Sequence, residues 1–196
     1  MYKFGYYREN ISMEKERNNY MKSTGVVRRV DDLGRIVIPK EIRRTLRIRD
    51  GESLEIFVDR EMIALKKFSK MNDIEEVTKQ LADIINGTVN KTVLVTDRDK
   101  FVAVSGPLKK KFIDKNISKF LENIMNERKN LLENGLHDIE LLDNEKNMFS
   151  YVIVPIIMNG DAIGLVIILS DKSDIGQLED KLANIVAQFL AKHIEE

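Results

Sequence analysis

The sequence predicts an α+β protein of two unlike modules. The first is a short strand-and-turn unit whose core a second chain completes; the second is a larger α/β unit with flanking helices. Three observations predict it. Residues 21–70 place short apolar alternations around turn residues and one brief helix. Residues 71–196 alternate helix-period segments with long apolar runs. The charge also changes sign: residues 1–70 hold 17 basic and 11 acidic side chains, residues 71–196 hold 15 and 21, although the whole chain is formally neutral.

Residues 1–20 form a polar stretch with scattered aromatics and no apolar core of signal-peptide length, and they read as a flexible extension. From Met21 the pattern sharpens. Gly25–Val30 (GVVRRV) reads as a strand, Asp31–Gly34 (DDLG) as a turn in which Gly supplies positive φ, and Arg35–Ile38 (RIVI) as a second strand. Pro39 opens a helix expected to run to Arg47, because its missing N–H costs nothing at a helix start. Ser53–Val58 and Met62–Lys67 close the unit as two more strands. A β-β-α-β-β unit this small buries too little surface to stand alone. With zero Cys and only two His, His137 and His193, disulfides and a metal are not available to it. Association with a second copy is the remaining solution.

In the second module, residues 72–86 are predicted helical, with Asn72 as cap, an apolar stripe of Ile74, Val77, Leu81, Ile84 and Ile85, and Gly87 as the stop. Two strands follow, KTVLVTD and FVAVSG, then LKKKF as a solvated loop and a helix over 114–132. DIELL reads as a short strand. The runs YVIVPIIM and AIGLVIIL flank Asn159–Gly160, a strong hairpin dipeptide. Residues 175–194 form a last helix with Leu178, Leu182, Ile185 and Phe189 at 4-3-4 spacing. Two such helices from each of two chains make a four-helix bundle and hence a homotetramer; the alternative is that both stripes pack on their own sheet.

Composition excludes several functions. At 43% hydrophobic and 33% charged, the chain suits a packed core. Its longest apolar runs are eight residues, against about 20 for a membrane helix, so no membrane partner is expected. No nucleophile–base pair, phosphate-binding glycine loop or metal cluster is visible, so neither an enzymatic reaction nor a cofactor is expected. His137 sits in a polar loop and reads as surface, and His193 as a cation at a helix C-terminus.

The segment from Lys22 to Arg49 holds nine Lys or Arg against Asp31, Asp32 and Glu41. On a helical wheel Lys40, Arg43, Arg44 and Arg47 share one arc, away from Ile42 and Leu46. Arg28, Arg29 and Arg35 flank the DDLG turn. Four readings are open: a solvated face, an acidic protein partner, pairing within the segment, and a nucleic-acid surface, where each neutralised phosphate releases a counterion. Arg suits the last through bidentate contacts.

The stretch STGVVRRVDDLGRIVIPKEIRRTL, within MKSTGVVRRVDDLGRIVIPKEIRRTLRIRDGESLEIFVDREMIALKK, closely resembles the N-terminal domain of the AbrB family of transition-state regulators. The resemblance implies a swapped-hairpin barrel shared by two chains, which binds double-stranded DNA. Arg28, Arg35, Arg43 and Arg44 are its implied contacts, with Lys22 and Arg29 beside them. The following residues, with VIVPIIMNGDAIGLVIIL as central strands, resemble a GAF-type sensor domain. The two domains in this order imply a cytoplasmic, nucleoid-associated regulator of sporulation genes, activator or repressor; whether the sensor domain takes a small-molecule effector, and which, stays open. The zero Cys count removes bilin attachment and the Cys-based sulfoxide reductases built on the GAF fold. The alternative is an antitoxin with the same N-terminal fold, in which a short tail rather than a folded domain follows.

Overall fold

The structure, a computed structural model, describes residues 23–172 and 174–195. They separate by packing into two units, one ending at Arg49 and one beginning at Asp50, a division that lies inside the 21–70 segment.

The first unit is built on a turn and a short helix. The Gly34 N–H donates to the Asp31 carbonyl at 3.0 Å, and Gly34 takes φ +75°. The flanking segments 25–30 and 35–38, expected as strands, form no ladder. Among the described residues no strand edge faces their apolar side chains: Val27 is 85% exposed and Val37 73%. An extended segment becomes a strand only when its N–H and C=O groups find a partner. Helix α1 covers Lys40–Thr45, shorter than the expected 39–47. Arg47 turns left-handed at φ 54°, its N–H donating to the Arg44 carbonyl at 3.2 Å while the Ile48 N–H reaches the Arg43 carbonyl at 2.7 Å. This is a Schellman end with Arg where Gly is usual. It takes Arg47 off the helical arc that the sequence assigns it.

The second unit opens with the hairpin β1 (Leu54–Asp59) and β2 (Met62–Lys67), closed by the pair Asp59–Met62. A single 3-10 turn at Lys70–Asn72 leads into α2 (Glu75–Val89). There follow β3 (Thr92–Thr96), β4 (Phe101–Ser105), α3 (Lys109–Phe112), α4 (Lys119–Glu127), β5 (Leu131–Leu142), β6 (Glu145–Met158), β7 (Asp161–Ser170) and α5 (Gln177–Glu195). The last five strands form one antiparallel sheet in the order β4-β3-β7-β6-β5. Alternate residues point to opposite faces. Val93, Val95, Val154 and Ile168 meet α2 and α5, whereas Leu94, Ile153, Leu165 and Ile167 meet α3 and α4. Both faces of the central strands are covered, which is why YVIVPIIM and AIGLVIIL read as continuous apolar runs. Asn159 (φ 50°) and Gly160 (φ 83°) make the tight turn expected of that dipeptide.

Several element boundaries differ from expectation. Gly87 lies inside α2, and Asn90 ends it in the left-handed conformation with its N–H on the Asn86 carbonyl. Arg128 (φ 57°) ends α4 early, so Leu131 and Leu132 belong to β5, which absorbs the DIELL segment. LKKKF contains a helical turn, because Phe112 packs fully buried against Phe101 at 5.3 Å between ring centres.

The apolar stripes of α2 and α5 also divide unexpectedly. The faces on the sheet are Ile74, Thr78, Ala82 and Ile85 on α2, and Ala183, Val186, Ala187 and Leu190 on α5. Ile84 (61% exposed), Leu178, Ile185 (62%) and Phe189 point away. Of the 4-3-4 stripe, Leu182 is half-buried against the sheet core, whereas Leu178, Ile185 and Phe189 stay exposed, so packing on the chain's own sheet accounts for it only in part. Among the described residues no helix is long and apolar enough to cross a membrane.

Candidate nucleic-acid interface

The basic segment is organised by Asp31. One carboxylate oxygen accepts the backbone N–H groups of Leu33 (3.1 Å) and Arg35 (2.8 Å), while the other takes the Arg35 guanidinium Nε at 2.8 Å. These bonds, the backbone one to Arg35 first and its side chain second, hold the Asp31 carboxyl below its ordinary pKa. The sequence leaves pairing within the segment open, and for Arg35 the structure shows it.

Arg28, Arg29, Arg35 and Arg44 are exposed, and Arg43 is half-buried. Arg28 and Arg29 precede the turn and Arg35 leaves it. Arg43 and Arg44 sit in the last turn of α1, where cations also oppose the negative end of the helix dipole. Lys40 opens the same helix exposed. Lys22 lies outside the described residues. The unit presents planar, permanently charged guanidinium groups within 17 residues of chain (28–44), a chemistry suited to phosphate oxygens and guanine edges.

The other histidine and lysine assignments resolve locally. His137 is an exposed side chain 3.4 Å from Glu133, and His193 stacks on Phe189 at 5.5 Å. Lys111 is held by Asn147 at 2.8 Å and Glu145 at 3.1 Å. Among the described residues no cluster of His, Asp or Glu could hold a metal ion. Sequence reasoning missed the contacts of Lys67, a strand-end lysine that reads as an ordinary exposed cation. It bonds Asp99, which lies 32 positions away, and no local pattern signals such a pair.

A basic turn-and-helix unit is followed along the chain by a GAF-like antiparallel sheet with helices on both faces. A family model described as stage V sporulation protein T C-terminal, transcription factor, matches residues 73–195. The chain belongs to that family. A second model, described as antidote-toxin recognition MazE, bacterial antitoxin, matches residues 27–72. Stage V sporulation protein T of Bacillus subtilis (strain 168) is 46% identical over 178 residues, covering 90% of this chain and 100% of that protein. The transition state regulatory protein AbrB of the same organism is 56% identical over 64 residues, 33% of this chain and 66% of that one. Among solved structures, a type II free methionine-R-sulfoxide reductase from Thermoplasma acidophilum superposes with TM-score 0.51 at 13% identity, covering 65% of this chain and 96% of that one. That likeness concerns the fold alone.

Proposed function

We propose that the chain is a sequence-specific DNA-binding transcription regulator of sporulation genes, working in the cytoplasm on the nucleoid. Residues 21–70 are its DNA-binding and dimerisation module, and residues 71–196 its sensor and oligomerisation module. The observation that carries this reading is the set of exposed arginines, Arg28, Arg29, Arg35 and Arg44, gathered on one turn and the helix that follows it. Lys22 and Arg43 complete the contact set. The 56% identity of this region to AbrB, a transition state regulatory protein, supports the same assignment.

The dimer follows from what the first module leaves uncovered. Val27, Val30, Ile36 and Val37 beside the turn, and Ile56, Val58 and Ile63 on the hairpin, are all exposed. A two-stranded hairpin is marginal by itself. A second copy would supply strand partners for 25–30 and 35–38 and bury these side chains in one shared barrel. The stripe of Ile84, Leu178, Ile185 and Phe189 would then join two dimers in a helical bundle and carry two DNA-binding heads on one tetramer. A small-molecule effector entering between the sheet and α3–α4 would displace packed side chains, since Phe101, Phe112, Ile117 and Leu121 are fully buried there.

The antitoxin reading has the match over residues 27–72 in its favour. It has no role for the folded sheet unit that follows. The test is binding of the purified chain to duplex fragments across a salt series. Tight binding whose logarithm falls linearly with the logarithm of salt supports the regulator. An antitoxin with the same N-terminal fold would bind duplex DNA as well, so co-purification of a small nuclease with the chain is the result that supports the antitoxin.

A further inference from the structure

The hairpin β1–β2 ends in a polar clamp. Lys67, the last residue of β2, bonds Asp99 and also lies 3.1 Å from Glu52, the residue two before β1. The three side chains are 22%, 22% and 8% exposed, so the cluster is largely shielded from water. Asp99 is itself held in a rigid place. It lies on the β3–β4 turn, where one oxygen of buried Asp97 accepts the backbone N–H groups of Asp99 (2.7 Å) and Lys100 (2.8 Å). Arg98 Nε donates to the Ala162 carbonyl at 3.0 Å and ties that turn to β7. Two residues past Lys67, the Ser69 hydroxyl donates to the second Asp97 oxygen at 3.5 Å. Two residues further, Met71 is fully buried in the core beneath α2 and α5. The chain thus leaves the hairpin and enters the sheet core within a few residues, and Lys67 bonds carboxylates on both sides of the joint.

We propose that Lys67 is a positioning residue: clamped between Glu52 and Asp99, it fixes the direction in which the β1–β2 hairpin leaves the sheet unit. This rests on the DNA-binding reading of residues 21–70 in one respect only, that the fixed hairpin sets the spacing of the two heads on duplex DNA. The physical reason lies in the charges. An ion pair on open surface contributes little, but removing one member of a shielded cluster leaves the others uncompensated, so the joint opens rather than losing a small increment of stability. The clamp also offers a route between the two modules, since whatever shifts the β3–β4 turn shifts Asp99 and the hairpin with it.

The test uses the full chain carrying Lys67→Met, which keeps length and removes charge, with Lys67→Arg as the conservative rescue. The chain has no cysteine, so Glu61→Cys and Asn144→Cys report hairpin-to-sheet distance by paired spin labels, with labelled chains diluted into unlabelled ones. The expected result is a narrow distance distribution in the parent and in Lys67→Arg, and a broad one in Lys67→Met. On DNA, Lys67→Met should lose about tenfold in affinity for a duplex with two correctly spaced sites, as effective concentration falls, while binding a single site normally. Should Lys67→Met unfold, Asp99→Asn carries the same test. An unchanged distance distribution in the folded variant overturns the proposal. If the parent binds no duplex at all, the DNA-binding reading fails, and the distances still decide the clamp.

Discussion

The Arg35 guanidinium lies 2.8 Å from the Asp31 carboxylate that also organises the turn between them. A side chain proposed to meet phosphate is thus held by an acid on its own turn. The bond pre-orients Arg35, and it also places a negative charge where a phosphate would come.

Asp31→Asn keeps the oxygen that accepts the Leu33 and Arg35 N–H groups and removes the charge. DNA affinity at low salt should rise two- to fivefold, with a salt slope steeper by about one ion, read by fluorescence anisotropy. The pH dependence follows from the sign of the shift. Asp31 has a folded pKa below its unfolded one, so it stabilises the turn above the ordinary carboxylate pKa. That contribution is lost as pH falls through the lowered folded value. Asp31→Asn should lack this acid-side loss in a melting series. Weaker DNA binding by the variant would argue that the acid serves orientation alone.

Replacing Arg28, Arg29, Arg35 or Arg44 by Ala should weaken duplex binding several-fold and reduce the salt slope by about one per residue. All four side chains are exposed, so circular dichroism should stay as in the parent, and so should melting for Arg28, Arg29 and Arg44; Arg35→Ala also loses the bond to Asp31. Lys129→Ala, exposed before β5, is the control and should leave binding unchanged. Parent-like affinity in all four variants would move the interface elsewhere.

Ile185→Asp or Phe189→Asp places a charge in the outward stripe of α5. Neither residue is in the core, so each protomer should fold. Sedimentation at tens of micromolar should show the mass falling by half, from tetramer to dimer. A parent mass that is already dimeric would count against the bundle.

Two glycine substitutions should act in opposite directions. A Cβ on Gly164 would sit 2.1 Å from the Thr96 carbonyl oxygen, where β7 passes β3, and backbone cannot swing aside as a flexible side chain can. Gly164→Ala should cost about 3 kcal/mol in thermal unfolding. A Cβ on Gly87 would meet nothing within 4 Å, and Gly87 lies inside α2. Gly87→Ala should add about 0.5–1 kcal/mol.

Much of the second unit was legible because its signals are local. Asn159–Gly160 names its own turn, and the apolar runs of β6 and β7 announce strands covered on both faces. Helix ends were less legible. Gly87 looked like a stop, yet Asn90, Arg128 and Arg47 take the left-handed positions, because carbonyls at the helix end accept whichever N–H the chain path brings to them. In the basic segment the residue types were readable, and so was the turn. The bond from Asp31 to Arg35 was open among the sequence readings, and only side-chain placement closed it.

From residue order alone came the charge division, the helix and strand periods, the lack of thiol chemistry and the cluster of arginines, since each depends on neighbours along the chain. Tertiary structure alone decided which stripe of α2 and α5 meets the sheet, that residues 25–30 and 35–38 form no strand ladder among the described residues, and that Lys67 meets Asp99. A periodic pattern states that a face is apolar but not what covers it, because burial and long-range ion pairing are set by surfaces that approach only when the whole chain is folded.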